Sequence, residues 1–126
     1  MAHTIIKPTT DEDFYVVYSS VVDAPIQWGT RAELESTYEH AAAERFARAD
    51  EHGSSSLHGW DGWDVQIITV REGFRPESRP ANVWCANVAR ADLRRFCESV
   101  DTDGYWNPVE GIVTWEFITE EATDGE

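Results

Sequence analysis

The chain has 126 residues, 41% apolar and 12% aromatic, so it can bury one core but is too short for two ordinary domains. Its net charge is −14, from 24 acidic and 10 basic residues. A field of that sign repels nucleic-acid phosphates and anionic membrane surfaces, so we expect neither nucleic acid nor a membrane as partner. The charge is uneven, because residues 101–126 hold eight acids and no base.

The sequence gives two indications of cellular compartment. No stretch approaches the ~20 apolar residues that span a bilayer, and the first eight residues lack the apolar run of a signal peptide. Cys85 and Cys97 have no C-x-x-C spacing, so we expect two free, buried thiols. Both features favour a reducing cytoplasm.

The first elements are a leader and a strand. Residues 1–13 are polar and are predicted to be a leader. Residues 14–22 (FYVVYSSVV) are rich in β-branched and aromatic side chains and are apolar on both faces, which is typical of a central strand. Asp23, Ala24 and Pro25 are predicted to end it.

A helix is expected next. Thr30 and Glu33 have the spacing of a capping box, and Gly53 stands where a C-cap glycine belongs. Glu44 and Arg48 are predicted to form an i, i+4 ion pair. One apolar stripe at helical spacing makes this a single helix, formed by Leu34, Tyr38, Ala41, Ala42, Phe46 and Ala49.

The second half of the chain predicts two strands, a helix and a final strand. The strands cover residues 63–72, 82–88 and 112–118. The helix lies between the second and third of them, with an apolar stripe of Ala89, Leu93, Phe96, Cys97 and Val100. Its other face carries the three bases Arg90, Arg94 and Arg95 as a basic patch. An acidic tail, residues 119–126, follows.

The resulting order, β-α-β-β-α-β, predicts a single α+β domain over residues 14–118 with a ferredoxin-like fold. That fold has one antiparallel sheet with both helices on one face, and its first and third strands are central. The other sheet face is then open, and we expect it to serve as a homodimer or binding surface. A different α+β arrangement is the alternative.

Candidate binding residues include three tryptophans. Trp60 and Trp63 flank Asp61 and Gly62, and this segment predicts either an aromatic clamp for a ligand or plain core packing. Trp106, in a later loop, is the third candidate. A Trp-lined pocket of this kind would bind a small ligand.

No catalytic or metal-binding motif outweighs a structural interpretation, so we expect no metal and no cofactor and leave enzymatic activity open. His52, His58, Asp61 and Asp64 are metal-ligand types, but their spacing matches no strong motif. Asp101, Asp103 and Gly104 resemble the start of a calcium loop, but the later ligand positions hold unsuitable residues, so a turn is predicted.

The acidic charge predicts a basic protein surface as partner, if the charge does more than keep the chain soluble. The acids expected to meet that surface lie in the last 26 residues and are Asp101, Asp103, Glu116, Glu120 and Glu121.

Three short segments, residues 18–25 (YSSVVDAP), 29–33 (GTRAE) and 48–55 (RADEHGSS), resemble a pattern in small uncharacterised proteins of actinobacterial phages. The resemblance implies a phage or actinobacterial source and brings no known activity or catalytic residue. Small acidic phage proteins can inhibit host enzymes by imitating nucleic-acid charge. The resemblance therefore favours an inhibitor or decoy of a basic host protein, with a small-ligand-binding domain or a minor structural or assembly protein as alternatives.

Overall fold

The computed structural model describes residues 3–57, 60–71, 73–74, 82–101, 103–106 and 112–117. The elements are, in chain order, β1 (His3–Ile6), β2 (Tyr15–Ser19), β3 (Ala24–Gly29), α1 (Arg31–Thr37), α2 (Ala43–His52), β4 (Ile67–Val70), β5 (Val83–Ala89), a 3-10 turn (Arg90–Asp92), α3 (Leu93–Glu98) and β6 (Val113–Phe117).

The strands form two antiparallel sheets of three, in the orders β1-β2-β3 and β4-β5-β6. The predicted ferredoxin-like sheet is therefore wrong, although the α+β class is right. In that fold the strand at residues 14–22 would pair with later strands. Here β2 pairs with its sequence neighbours β1 and β3 instead.

The two strands that the sequence did not indicate explain the error. β1 lies inside the segment that was expected to be a polar leader, where Ile5 and Ile6 are both fully buried. β3 begins where the preceding strand was expected to stop. Pro25 has no N–H to donate to a ladder, and it is tolerated in β3 because this strand lies at the edge of its sheet.

The first sheet (β1–β3) is the middle layer of the molecule. One of its faces, including Val16, packs with Ile68 and Val88 of the second sheet (β4–β6). Its other face, including Val17, packs with Phe46 of α2. This double burial explains why β2 is apolar on both faces, which a ferredoxin-like sheet with one open face would expose to water. The open face expected on this strand is therefore covered, and the homodimer stays a prediction.

The single helix predicted after Thr30 is two helices, α1 and α2. The capping box between Thr30 and Glu33 is confirmed, and so is Gly53 as the left-handed C-cap of α2. α1 ends at Thr37, where the hydroxyls of Ser36 and Thr37 both donate to the Glu33 carbonyl. Such local hydrogen bonds compete with helix continuation.

The strands and the helix predicted for the second half of the chain are confirmed in outline. β4, β5 and β6 lie within or beside the predicted strands, and α3 is a shortened form of the predicted second helix. Cys85 and Cys97 are buried, as expected, and neither forms a disulfide within the described residues. Burial raises the pKa of the Cys97 thiol, so this thiol is an inert part of the core.

The layer between α2 and the first sheet is expected to depend on Phe46. Replacing Phe46 with Ala should lower the free energy of unfolding by about 3–5 kcal/mol, because the fully buried ring leaves a cavity. Urea unfolding followed by tryptophan fluorescence measures this. Phe117→Ala, at a half-exposed ring on β6, is the matched control and should cost about 1 kcal/mol or less. Equal losses in the two variants would contradict the burial of Phe46.

Candidate functional site

Arg90 was expected in a surface basic patch, but its side chain is only 3% exposed. The guanidinium donates to five backbone carbonyls and to no carboxylate among the described residues. Nη1 donates to Asp61, Gly62 and Val65 at 2.8, 2.8 and 3.1 Å, and Nη2 donates to Lys7 and Gly53 at 2.8 and 2.6 Å. We call this arrangement the Arg90 cage.

Trp63 forms one wall of the Arg90 cage. Its ring lies 4.9 Å from the Arg90 guanidinium carbon, a cation–π contact. Its indole N–H donates to the Glu51 carbonyl at 2.9 Å, and its backbone N–H donates to the His52 carbonyl at 2.8 Å. Trp63 therefore satisfies the last carbonyls of α2, which a helix end leaves without intrahelical partners.

Gly53 allows the helix end to approach the cage. Its φ is +87°, and a Cβ here would lie 2.6 Å from Arg90 Nη2 and 2.7 Å from the Trp63 ring. Any other residue would displace one of the two groups. The C-cap glycine thus serves both the helix end and the close approach of Arg90.

The electrostatics of the cage follow from burial. Burial lowers the pKa of Arg90, and it raises the pKa of the neighbouring Asp61 carboxyl, whereas the positive charge of Arg90 lowers it. Arg90 Nε is buried and has no hydrogen-bond partner in the part of the chain that the structure describes. Carbonyl dipoles, rather than a counter-ion, therefore surround this cation.

Three adjoining cavities lie beside α2, and we call them together the α2 groove. The middle cavity is about 240 Å³ and the two outer ones are about 420 and 340 Å³. Arg48 borders the middle cavity and the larger outer cavity. Arg45 borders the middle cavity and the smaller outer cavity. The middle cavity is lined by His3, Thr4, Ser20, Arg45, Arg48, Ser55, Ser56, Leu57 and Trp60.

The wall of the middle cavity is fixed by the segment after α2. The Ser55 backbone N–H donates to the Ile5 carbonyl, and the Ser55 hydroxyl oxygen accepts from the Ile5 N–H, both at 2.9 Å. Ser54 is buried and bridges to Ile6. Residues 54 and 55 therefore lie along β1, and Ser56 and Leu57, which follow them, line the groove.

The two groove arginines are bound to neutral oxygens. Arg48 donates to the Ser55 carbonyl at 3.0 Å, and the predicted ion pair with Glu44 does not form. Arg45 donates to the Tyr38 hydroxyl and to the carbonyls of His40 and His3 at 3.2, 3.2 and 2.7 Å. Neither arginine has an ion pair within the described residues.

The sequence-predicted site residues fall in separate places. Trp60, Asp61 and Trp63 lie together beside the groove, with Trp60 67% exposed and Trp63 held in the Arg90 cage. Trp106 is 3% exposed and stacks on Phe96 in the core, 4.6 Å between ring centroids.

The predicted acidic residues are also dispersed. Asp101 accepts from the backbone N–H groups of Asp103 and Tyr105, which closes the expected turn. Glu116 lies on the outward face of the second sheet and accepts from the Asn87 amide. Glu120 and Glu121 lie outside the described residues.

Sequence reasoning missed Arg45, Arg48 and His3 as groove residues. No local signal could have found them, because the contact between Arg45 and the His3 carbonyl joins residues 42 positions apart. His58, a weighed metal ligand, lies outside the described residues. The described part of the chain contains no group of three or more His, Cys, Asp or Glu side chains able to hold a metal ion. It also contains no helix long and apolar enough to cross a bilayer.

Removing the Arg90 cage should destabilise the whole molecule. Arg90→Gln is expected to lower the free energy of unfolding by about 3–5 kcal/mol, because several buried carbonyls lose their donor. Chemical denaturation measures the loss. Arg95→Gln is the matched control, since Arg95 is exposed and, among the described residues, forms an ion pair with Asp92 alone. This variant should change stability by about 0.5 kcal/mol or less. A similar small change for Arg90→Gln would show that the cage is dispensable.

Comparison with known proteins found no relative of this chain. No protein-family model, no curated protein and no solved structure matches the chain. Inference about function therefore starts from the chain's own side chains.

Proposed function

We propose that the protein is a binding module whose α2 groove takes a small ligand. The observation that carries the proposal is the meeting of apolar and polar groups at the middle cavity. Leu57 and Trp60 are 79% and 67% exposed at its rim, and arginine, serine and histidine side chains line the rest. A concave site that combines apolar surface with a few polar groups is typical of ligand pockets.

The rigidity of the walls supports the same proposal. Ser55 is tied to β1 by two hydrogen bonds, and Arg45 is tied to the β1 carbonyl of His3. The Arg90 cage fixes Gly62 and Trp63 at the larger outer cavity. Walls that are already ordered reduce the entropy lost on binding, which favours affinity for a small molecule.

The two buried thiols agree with a cytoplasmic setting, which we propose with this function. Cys85 and Cys97 are buried, and neither forms a disulfide within the described residues. Unpaired buried cysteines are typical of proteins from reducing compartments.

The groove proposal predicts that Trp60 contributes to ligand binding. A panel of small aromatic acids, amides and alcohols should shift the NMR signals of the Trp60 indole N–H and of the Ser56 and Leu57 amides. Trp60→Ala should weaken binding at least about fivefold, because an aromatic contact contributes about 1 kcal/mol. Trp84→Ala, at another exposed tryptophan on β5, is the control and should leave affinity unchanged. The proposal fails if no compound shifts the groove signals.

A second candidate function is the binding of a basic protein surface, as an inhibitor or decoy. Its support is that exposed carboxylates remain outside the ion pairs. Glu39 and Glu44, on the helical layer, are exposed and make no ion pair within the described residues. The −8 charge of residues 101–126 adds to the negative charge of the chain as a whole.

The second candidate predicts salt-sensitive binding of an arginine-rich peptide. Removal of residues 119–126, which contain four acids, should weaken the complex at least about threefold at low ionic strength, because each lost charge reduces the attraction. Isothermal titration measures the affinity, and Glu39→Gln with Glu44→Gln tests the helical face separately. Affinity that is independent of salt and of the tail would contradict this reading.

A further inference from the structure

The geometry points to an oxyanion, a carboxylate or a phosphate, as the group that the α2 groove recognises, held by Arg48 and Arg45. This inference rests on the proposed ligand-binding function and names the class of ligand. The ligand that fits is a small molecule with an anionic group for the arginines and an apolar body for Leu57 and Trp60.

The first support is the composition of the middle cavity. It is lined by two arginines and by no aspartate or glutamate. The chain carries 24 acids against 10 bases, so such a lining is unusual on its surface. Carboxylates enter only the outer cavities, where Asp64 lines the larger and Glu39 the smaller. The middle cavity is therefore the cationic part of the groove.

The second support is that every other described lysine and arginine already has strong partners within the chain. Arg90 is enclosed by its carbonyl cage. Each remaining cation outside the groove pairs with a carboxylate of the same chain: Lys7 with Asp50, Arg31 with Glu35, Arg71 with Asp23, Arg94 with Glu12 and Glu98, and Arg95 with Asp92. Within the described residues, only the two groove arginines are neither enclosed by a cage of five carbonyls nor paired with a carboxylate.

Arg48 shows the contrast most directly. Glu44 precedes it by four residues and Glu51 follows it by three, so both lie within ordinary reach along α2. Arg48 pairs with neither, and its Nη1 donates to the Ser55 carbonyl on the groove wall. A guanidinium has five N–H donors in a planar fork, and one acceptor leaves most of them available to a ligand.

Arg45 completes the site from the other end of the cavity. Its two terminal nitrogens are held by the Tyr38 hydroxyl and by two backbone carbonyls, all of them neutral acceptors. These bonds fix the guanidinium without cancelling its charge. An oxyanion in the middle cavity would meet a fixed cation at Arg45 and free donors at Arg48, the combination that favours carboxylate and phosphate.

Four probes of the full-length protein test the inference: benzoate, the neutral isostere benzamide, phenyl phosphate and inorganic phosphate. NMR titration of the groove signals gives the affinities. We expect benzoate or phenyl phosphate to bind at least about tenfold more tightly than benzamide, since a charge-assisted hydrogen bond accounts for that ratio. Competition by inorganic phosphate against benzoate would support a shared anion site and identify phosphate as an accepted source.

Variants at Arg48 separate charge recognition from general binding. Arg48→Gln should remove the preference for the anion over benzamide, whereas Arg48→Lys should keep part of it. Arg95→Gln, on α3, is the matched charge control and should change nothing. Circular dichroism confirms that each variant is folded.

The outcomes distinguish this inference about anions from the ligand-binding proposal on which it rests. Equal binding of benzoate and benzamide, or an anion preference that survives Arg48→Gln, would overturn the inference while the groove remains a ligand site. Binding by none of the organic probes and no response to phosphate would overturn both.

Discussion

The guanidinium of Arg90 connects parts of the chain that no local interaction would bring together. Arg90 lies directly after β5 of the second sheet. Its guanidinium binds one carbonyl just after β1, one just after α2 and three in the segment 61–65. Burying a cation without a counter-ion is costly, and here five carbonyl dipoles and the Trp63 ring offset the cost. A lysine has too few donors, in the wrong geometry, to replace it. The helical layer and the second sheet are thus fixed relative to each other at one point.

The α2 groove depends on this same point. Trp63 donates to a carbonyl in the last turn of α2 and borders the larger outer cavity. Its position is fixed because its ring packs on Arg90. The net charge of −14 and the proposed anion site are compatible. At physiological ionic strength, charges beyond about 8 Å are screened, so the adjacent arginines determine whether an anion binds in the cavity. The acidic surface and the cationic groove can therefore serve different partners.

Local patterns were sufficient to predict some of this structure. The Thr30–Glu33 capping box and the Gly53 C-cap depend only on neighbouring residues, and both were predicted correctly. β2 was recognised from its composition, but its partners were not. β1 has four residues inside a polar segment, and its burial depends on β2 and α2, so the sequence there carries little signal.

The site was harder to predict than the fold. Trp60, Asp61 and Trp63 lie together beside the groove because they are close in the sequence, and their role in binding stays a prediction. Arg90 looked like one of three surface arginines, and its burial is determined by acceptors up to 83 residues away. Arg48 was expected only to pair with Glu44, and no sequence pattern singled out Arg45. Their role depends on which cavity α2 faces, and that is a property of the tertiary structure.

The most direct test of the account is the NMR behaviour of the Arg90 guanidinium in the intact protein. A caged guanidinium should give resolved Nη proton signals that exchange slowly with water, because its terminal nitrogens are buried and bonded to fixed carbonyls. The exposed Arg95 should give averaged, rapidly exchanging signals under the same conditions. Rapid, averaged signals from Arg90 would show that the cage does not exist and would remove the support for the groove wall at Trp63.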